Sequence, residues 1–430
     1  DNPSSALEEL VKRVVAAATA QWYPNIDIRI MNPPASYEAL AAYTSGYESW
    51  AGGFERTAAL FQKSVDLDPD FHVARFFLIK SYEHAGDSRR FDEQLAAAED
   101  RFEEFTPFER IRFEYCRLFG TNKPTDVERL NLHRQLVRIA PHLKDYRTNL
   151  VFLTYVLNRP RETLEALGPL LPTFRPESSP MAWSPLDYAV DCHHALGEYA
   201  EELHWANIAL ERFPDVGNFY VAKARALSAL QRADSVSEVI EKCSRERLRV
   251  VPYLSSLNTE QVMFTVALEL RLHGHPRESG ELLSKVLSRL ERRLTPVPSR
   301  DPDPNDLVLY AAALRADGRW AEAREPLLEL DRRDWDADDV AGALGVIAAH
   351  TGDLEGAQRA IDELMAAAPR QSYFWRACIA AHLGREDRAV ELLREGFSRG
   401  LRFSLRFHYN VDLEPLWDYP PYQDLIAPKG

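Results

Sequence analysis

Cysteine is scarce: the chain has four in 430 residues, Cys116, Cys192, Cys243 and Cys378, and no two form a C-x-x-C pair. That spacing argues against a disulfide frame or a cysteine metal site and leaves the four as small core residues. Long apolar runs are also missing. Nothing approaches the ~20 residues needed to cross a bilayer, so no membrane insertion is expected. Positive charge is in deficit, with 52 Lys and Arg against 66 Asp and Glu and a net charge of −14. So acidic a chain is a poor nonspecific nucleic-acid binder, because such binding rests on basic patches. No Asn-x-Ser/Thr acceptor occurs, since Asn2-Pro3-Ser4 has proline at its centre. The chain starts at Asp1 without a signal peptide, and the expectation is a processed chain or a piece of a longer one.

Catalytic signatures are absent as well, and the near-matches have plainer readings. Gly396-Phe397-Ser398-Arg399-Gly400 fits G-x-S-x-G, but a nucleophile elbow needs a strand before the serine, and AVELLRE is helical. Asp334, Asp336 and Asp338 alternate like the start of a calcium loop. Asp339 then stands where that loop needs glycine, and Gly345 where it needs glutamate, so helix N-capping is the better reading. Asp301, Asp303 and Asp306 share the weakness. His193 and His194, beside Cys192 and near His204, point about 100° apart on a helix and complete no H-x-x-x-H pattern. His273-Gly274-His275 reads as a turn. Glu103-Glu104, Glu201-Glu202 and Asp338-Asp339 read as solvated faces. No catalytic residue, cofactor or metal is therefore assigned, and an enzyme is not expected.

What the chain does have is a repeated helical hairpin. In residues 338–369, Leu344, Ile347 and Ala348 share one helical face, and Leu354, Ala357, Ile361 and Leu364 share another. Gly352 can end the first helix in the left-handed conformation and Asp353 can cap the second. Gly345 and Ala357 are small where the two helices would cross, and Pro369 ends the unit. Gly318 and Gly352 are 34 residues apart, as are Gly52 and Gly86, which is the tetratricopeptide period. A single hairpin buries too little to stand alone, so neighbours must stack on it.

The reading is all-α: a right-handed α-solenoid of about ten tetratricopeptide-like hairpins with an N-terminal leading helix and a C-terminal cap. Residues 1–35 are assigned to the leading helix and a linker, and 36–172 to the first repeats. Residues 173–300 read as degenerate middle repeats, 301–400 as the C-terminal repeats and 401–430 as the cap. Thr173–Pro180 and Arg293–Asp303 are the clearest interruptions, Leu248–Thr259 is a bridge, and a short excess occurs near Asn122–Thr125.

The ends of the chain are more specific. RAVELLREGFSRGL at 388–401 and DLEPLWDYPPYQDLIAPKG at 412–430, with SYEALAAYTSGYESWAGGFERTAALFQKSVDLDPDF at 36–71, resemble the C-terminal repeat regions of bacterial serine/threonine kinases and related multidomain regulators. Residues 267–287 and 310–334 are similar too. The resemblance implies a non-catalytic sensing or docking region, and favours a periplasmic or cell-surface location over a cytoplasmic one. In such solenoids the first helix of each pair lines the inner face. The register places Phe76, Lys80, Phe152, Tyr155, Asp187, Asp191, Arg225, Phe264, Arg271, Arg315 and Phe374 there as candidates for binding a protein or peptide. Arg225, Arg271 and Arg315 read either as a basic track suited to a carboxylate or an acidic peptide, or as scattered exposed arginines paired with their neighbours. The alternative is a structural subunit that self-associates head to tail into a homo-oligomer or filament, its aromatic tail docking on the next copy.

Overall fold

The computed structural model describes residues 10, 11, 14, 15, 18, 26, 27, 29–50, 53–121, 125–171, 184–248, 257–294, 301–367 and 371–430. Most of the expected leading helix, Gly52, the Asn122–Pro124 excess, the 173–180 interruption, most of the 248–259 bridge, residues 295–300 and Pro369 lie outside them. The described residues contain helices and turns and no strand, and no helix is long and apolar enough to cross a membrane. Two compact units divide the chain, residues 1–153 and 154–430.

Unit 1 contains α1 (Tyr37–Glu48), α2 (Phe54–Leu67), α3 (His72–Ala85), α4 (Ser88–Glu99), α5 (Pro107–Thr121), α6 (Asp126–Ile139) and most of α7 (Lys144–Val156). Each helix from α1 to α5 packs on the next, and α3 also packs on α5. Its core is aromatic: Tyr43, Phe61, Phe71, Phe76 and Phe108 are fully buried.

Unit 2 continues with α8 (Pro160–Leu167), α9 (Ser184–Ala195), α10 (Tyr199–Arg212), α11 (Gly217–Ala229), α12 (Val236–Arg245), α13 (Thr259–Leu272) and α14 (Pro276–Leu294). Then come α15 (Pro304–Ala316), α16 (Trp320–Arg332), α17 (Ala337–Thr351), α18 (Leu354–Ala367), α19 (Gln371–His382) and α20 (Glu386–Ser398). The first helices of successive pairs lie side by side, α9 on α11, α11 on α13, α13 on α15 and α17 on α19. These are stacked tetratricopeptide-type hairpins over one continuous aliphatic core.

The local reasons are those the residues suggest. Gly352 has φ +82° at the end of α17, and Asp353 Oδ1 accepts from Gly356 N at 2.8 Å to cap α18. The four cysteines are free and buried. The aspartates before α17 behave differently from the capping expectation: Asp336 occupies the N-cap in a left-handed conformation with no side-chain cap bond. Asp339 instead accepts from Trp375 Nε1 at 2.7 Å.

That bond pins Trp375 over Gly342, where a Cβ would lie 2.2 Å from Trp375 Cγ. Gly345 is equally tight, its Cβ position 2.6 Å from both Ala360 Cβ and Ile379 Cδ1. Gly342→Ala is expected to destabilise the protein by about 1–2 kcal/mol, because overpacking outweighs the helix preference of alanine. A fall in the urea midpoint at constant slope is the measurement; an unchanged or higher midpoint contradicts it.

Residues 401–430 form α21 (Arg406–Tyr409), a 3-10 turn at Val411–Leu416 and α22 (Pro420–Ile426). The expected cap over the last hairpin is there, with the 3-10 turn on α19 and α22 on α20. The segment also does more than cap. Phe403 N donates to Val156 O at 3.0 Å, and Lys429 N to Asn158 O at 2.8 Å. Asn158 Nδ2 donates to Ile426 O and Ala427 O, both at 2.9 Å. The tail therefore ties the first turn of unit 2 to its last helices.

Candidate functional site

Two places in the fold gather the residues expected on the inner face. In unit 2 the tail meets three of them, Arg271, Arg315 and Phe374. Arg315, 5% exposed, holds Asp412 through two bonds, Nε–Oδ1 at 2.8 Å and Nη2–Oδ2 at 3.0 Å. Arg271 reaches Glu414 at 3.4 Å. Phe374 packs edge-on against Phe407 of the tail, centroids 5.8 Å apart. Two of the three arginines, Arg271 and Arg315, thus meet carboxylates of the chain's own tail. Phe264 is half-buried against the same core.

The third arginine is turned inward. Arg225, 3% exposed, donates to Glu202 Oε1 at 2.5 Å and to Asp191 Oδ1 at 3.0 Å. Asp191 also accepts from Tyr155 OH at 2.6 Å, and Asp187 accepts from Asn218 Nδ2 at 3.2 Å. Burial, with Asp191 nearby, raises the Asp187 pKa. Here the reading of Glu201-Glu202 as a solvated pair fails for Glu202, which is fully buried. It lies on α10, the second helix of its pair, with its carboxylate directed at Arg225 and at His194 Nδ1, 2.8 Å away. Nothing local in the sequence distinguishes it from Glu201.

In unit 1, Phe76 belongs to the core, edge-on to Phe105, rather than to an open face. Phe152 is half-buried on α7. Lys80 does face a cavity of about 390 Å³, together with Tyr47, Trp50, His84, Arg112 and Lys144. Its Nζ lies 5.3 Å from the Tyr115 ring centroid. Arg112 is the residue that sequence reasoning missed. It is 4% exposed, and its Nε and Nη2 are buried with no hydrogen-bond partner. Its guanidinium sits 5.3 Å from the Phe77 and Tyr146 centroids and 5.9 Å from Tyr115. Asp145, the one carboxylate among the described lining residues, accepts from Tyr47 OH. Three cations against one committed carboxylate make this cavity positive in an acidic protein.

Cation–π contacts offset part of the desolvation of a buried guanidinium, about 0.5–2 kcal/mol each, and leave its N–H groups unsatisfied. A carboxylate or phosphate is shaped to accept from two guanidinium N–H groups at once. At about 390 Å³ the cavity has room for a side chain or a chain terminus rather than a folded surface.

Unit 1 also carries two buried histidines whose protonation opposes folding. Burial lowers His133 to about 3, with Arg112 adding to the effect, and burial lowers His72 to about 4. The unfolded chain takes up these protons near pH 6.5, so the stability is complete above that pH and is lost as pH falls toward 4. Each histidine contributes a slope of about 1.4 kcal/mol per pH unit in that window. His133→Gln is accordingly expected to cost less stability at pH 5 than at pH 7, read from urea midpoints; an equal cost at both refutes the assignment.

No family model and no curated protein matches the chain. Among solved structures, it is similar to the Cut9–Hcn1 hetero-tetramer of the APC/C at 12% identity, covering 90% of this chain and 75% of that one with a TM-score of 0.30. A human IFIT1 dimer with m7Gppp-AAAA is similar at 12% identity, covering 86% and 92%, with a TM-score of 0.28. The TPR domain of P58(IPK) is similar at 13%, covering 90% and 98%, with a TM-score of 0.19. These scores carry no ligand across. The stacked hairpins described above establish the architecture without them.

Proposed function

We propose that the chain is a protein-interaction scaffold whose inner-face pocket in unit 1 captures an acidic side chain or chain terminus of a partner protein. Arg112 carries this reading: a buried guanidinium without a described counter-ion, on the wall of an open cavity, flanked by Lys80 and Lys144. The arrangement of Arg315 and Asp412 in unit 2 is the same recognition made in cis, a buried arginine closing on a carboxylate of an extended segment. The resemblance of the chain ends to repeat regions of bacterial regulators extends the proposal to the docking region of a larger regulator. Head-to-tail assembly through the aromatic tail is less supported, because Phe403, Phe407 and Tyr422 are buried within unit 2 itself.

A fluorescein-labelled peptide of the acidic stretch Asn410–Asp418 serves as a probe, with its Asp/Glu→Asn/Gln version as control. Binding to the full chain is expected by anisotropy. Arg112→Met is expected to weaken it about 10- to 100-fold, the worth of a charge-assisted hydrogen-bond pair of about 1.5–3 kcal/mol. The stability of the variant is expected to be unchanged or higher, since a buried charge is replaced by an apolar stem. Equal binding of the acidic and amide peptides, or an Arg112→Met variant with wild-type affinity, defeats the proposal.

A further inference from the structure

Behind the Arg225 ion pairs lies a second polar cluster that the interaction role leaves unused. Glu269 and His273 sit four residues apart on one face at the end of α13, whose start is fixed by a capping box between Asn258 and Gln261. His194 comes from the end of α9. The ligand-bearing atoms of His194, Glu269 and His273 all lie within 4.8 Å of one another.

Glu269 is 0% exposed, and neither of its carboxylate oxygens has a hydrogen-bond partner. Arg225, the nearby cation, is already committed to Glu202 and Asp191. His273 Nε2 is also buried without a hydrogen bond, 3.7 Å from Glu269 Oε2. The Glu269 carboxyl and the His273 Nε2 are thus both buried without a hydrogen-bond complement.

His194 has the opposite arrangement, and it is equally telling. Its Nδ1 is held by Glu202 Oε2 at 2.8 Å, and Glu202 is in turn held by Arg225. A carboxylate on Nδ1 fixes the tautomer that leaves Nε2 as a free lone pair, the arrangement that orients imidazole toward a metal. Helix α21, which carries His408 and Tyr409, packs against α13.

We propose that His194, Glu269 and His273 bind a divalent transition-metal ion of the zinc type, oriented by Glu202. Two imidazoles and one carboxylate suit Zn²⁺ or Co²⁺ better than the all-oxygen preference of Mg²⁺ or Ca²⁺. Three protein ligands leave one coordination position open.

The full chain, stripped with a chelator and desalted, is titrated with Zn²⁺ by calorimetry and with Co²⁺ by visible absorption. One Zn²⁺ per chain is expected, with a rise in the thermal midpoint. The bound Co²⁺ is expected to show the intense absorption of four- or five-coordination, which requires no variant. Glu269→Gln and His273→Gln are each expected to lose at least tenfold in Zn²⁺ affinity, while His204→Gln keeps it. Absence of stoichiometric Zn²⁺ on the wild-type chain, a Co²⁺ spectrum identical to that of the aqueous ion, or folded Glu269→Gln with undiminished affinity overturns the assignment.

Discussion

Deleting residues 401–430 is expected to destroy the cooperative unfolding of unit 2. The segment buries Phe403, Leu405, Phe407, Val411, Leu413, Leu416, Tyr422 and Ile426. Its removal bares the surfaces of α19 and α20 beneath it and leaves Arg315 without its carboxylate. The loss should exceed about 5 kcal/mol, beyond the range of ordinary single substitutions. Dye binding to exposed apolar surface should rise and near-ultraviolet dichroism should fall. A synthetic 401–430 peptide added in trans is expected to restore both. A truncated chain that melts like the full one would show that the segment is an ornament on a self-sufficient array.

Asp412→Ala isolates the ionic part of the same contact. Arg315 and Asp412 are both nearly inaccessible, at 5% and 3% exposure, so the variant leaves a guanidinium buried and uncompensated. Breaking such a pair from one side costs about 3–5 kcal/mol. Replacing both partners, Arg315→Met with Asp412→Leu, is expected to recover most of that loss, because no charge is then stranded. The double-mutant cycle on urea midpoints gives the coupling. Additive losses would mean that the two side chains act independently and that the bidentate geometry contributes nothing.

The hairpins were legible because their determinants are local. Gly86, Gly274, Gly318, Gly352 and Gly384 all adopt positive φ at turns, and each is announced by the apolar spacing around it. Arg225, Arg271 and Arg315 each find a carboxylate partner. Those partners were not legible. Asp412 lies 97 residues from Arg315, and Glu414 lies 143 residues from Arg271, so no periodicity connects them. The histidines illustrate the limit best. His194 and His273 each stand in a local pattern that fits no metal motif, and only the packing of α9, α11 and α13 brings them together. Arg112 was invisible because what marks it is the lack of a counter-ion, a property of its surroundings rather than of its neighbours in sequence.

The bonds from Phe403 to Val156 and from Lys429 to Asn158 change how unit 2 should come apart. A linear stack whose members touch only their neighbours frays from its ends, one repeat at a time. Fastening the terminal members to each other removes the free ends. Amide exchange in unit 2 should then show a single shared opening energy across the stack, in place of a gradient that falls away toward its extremities.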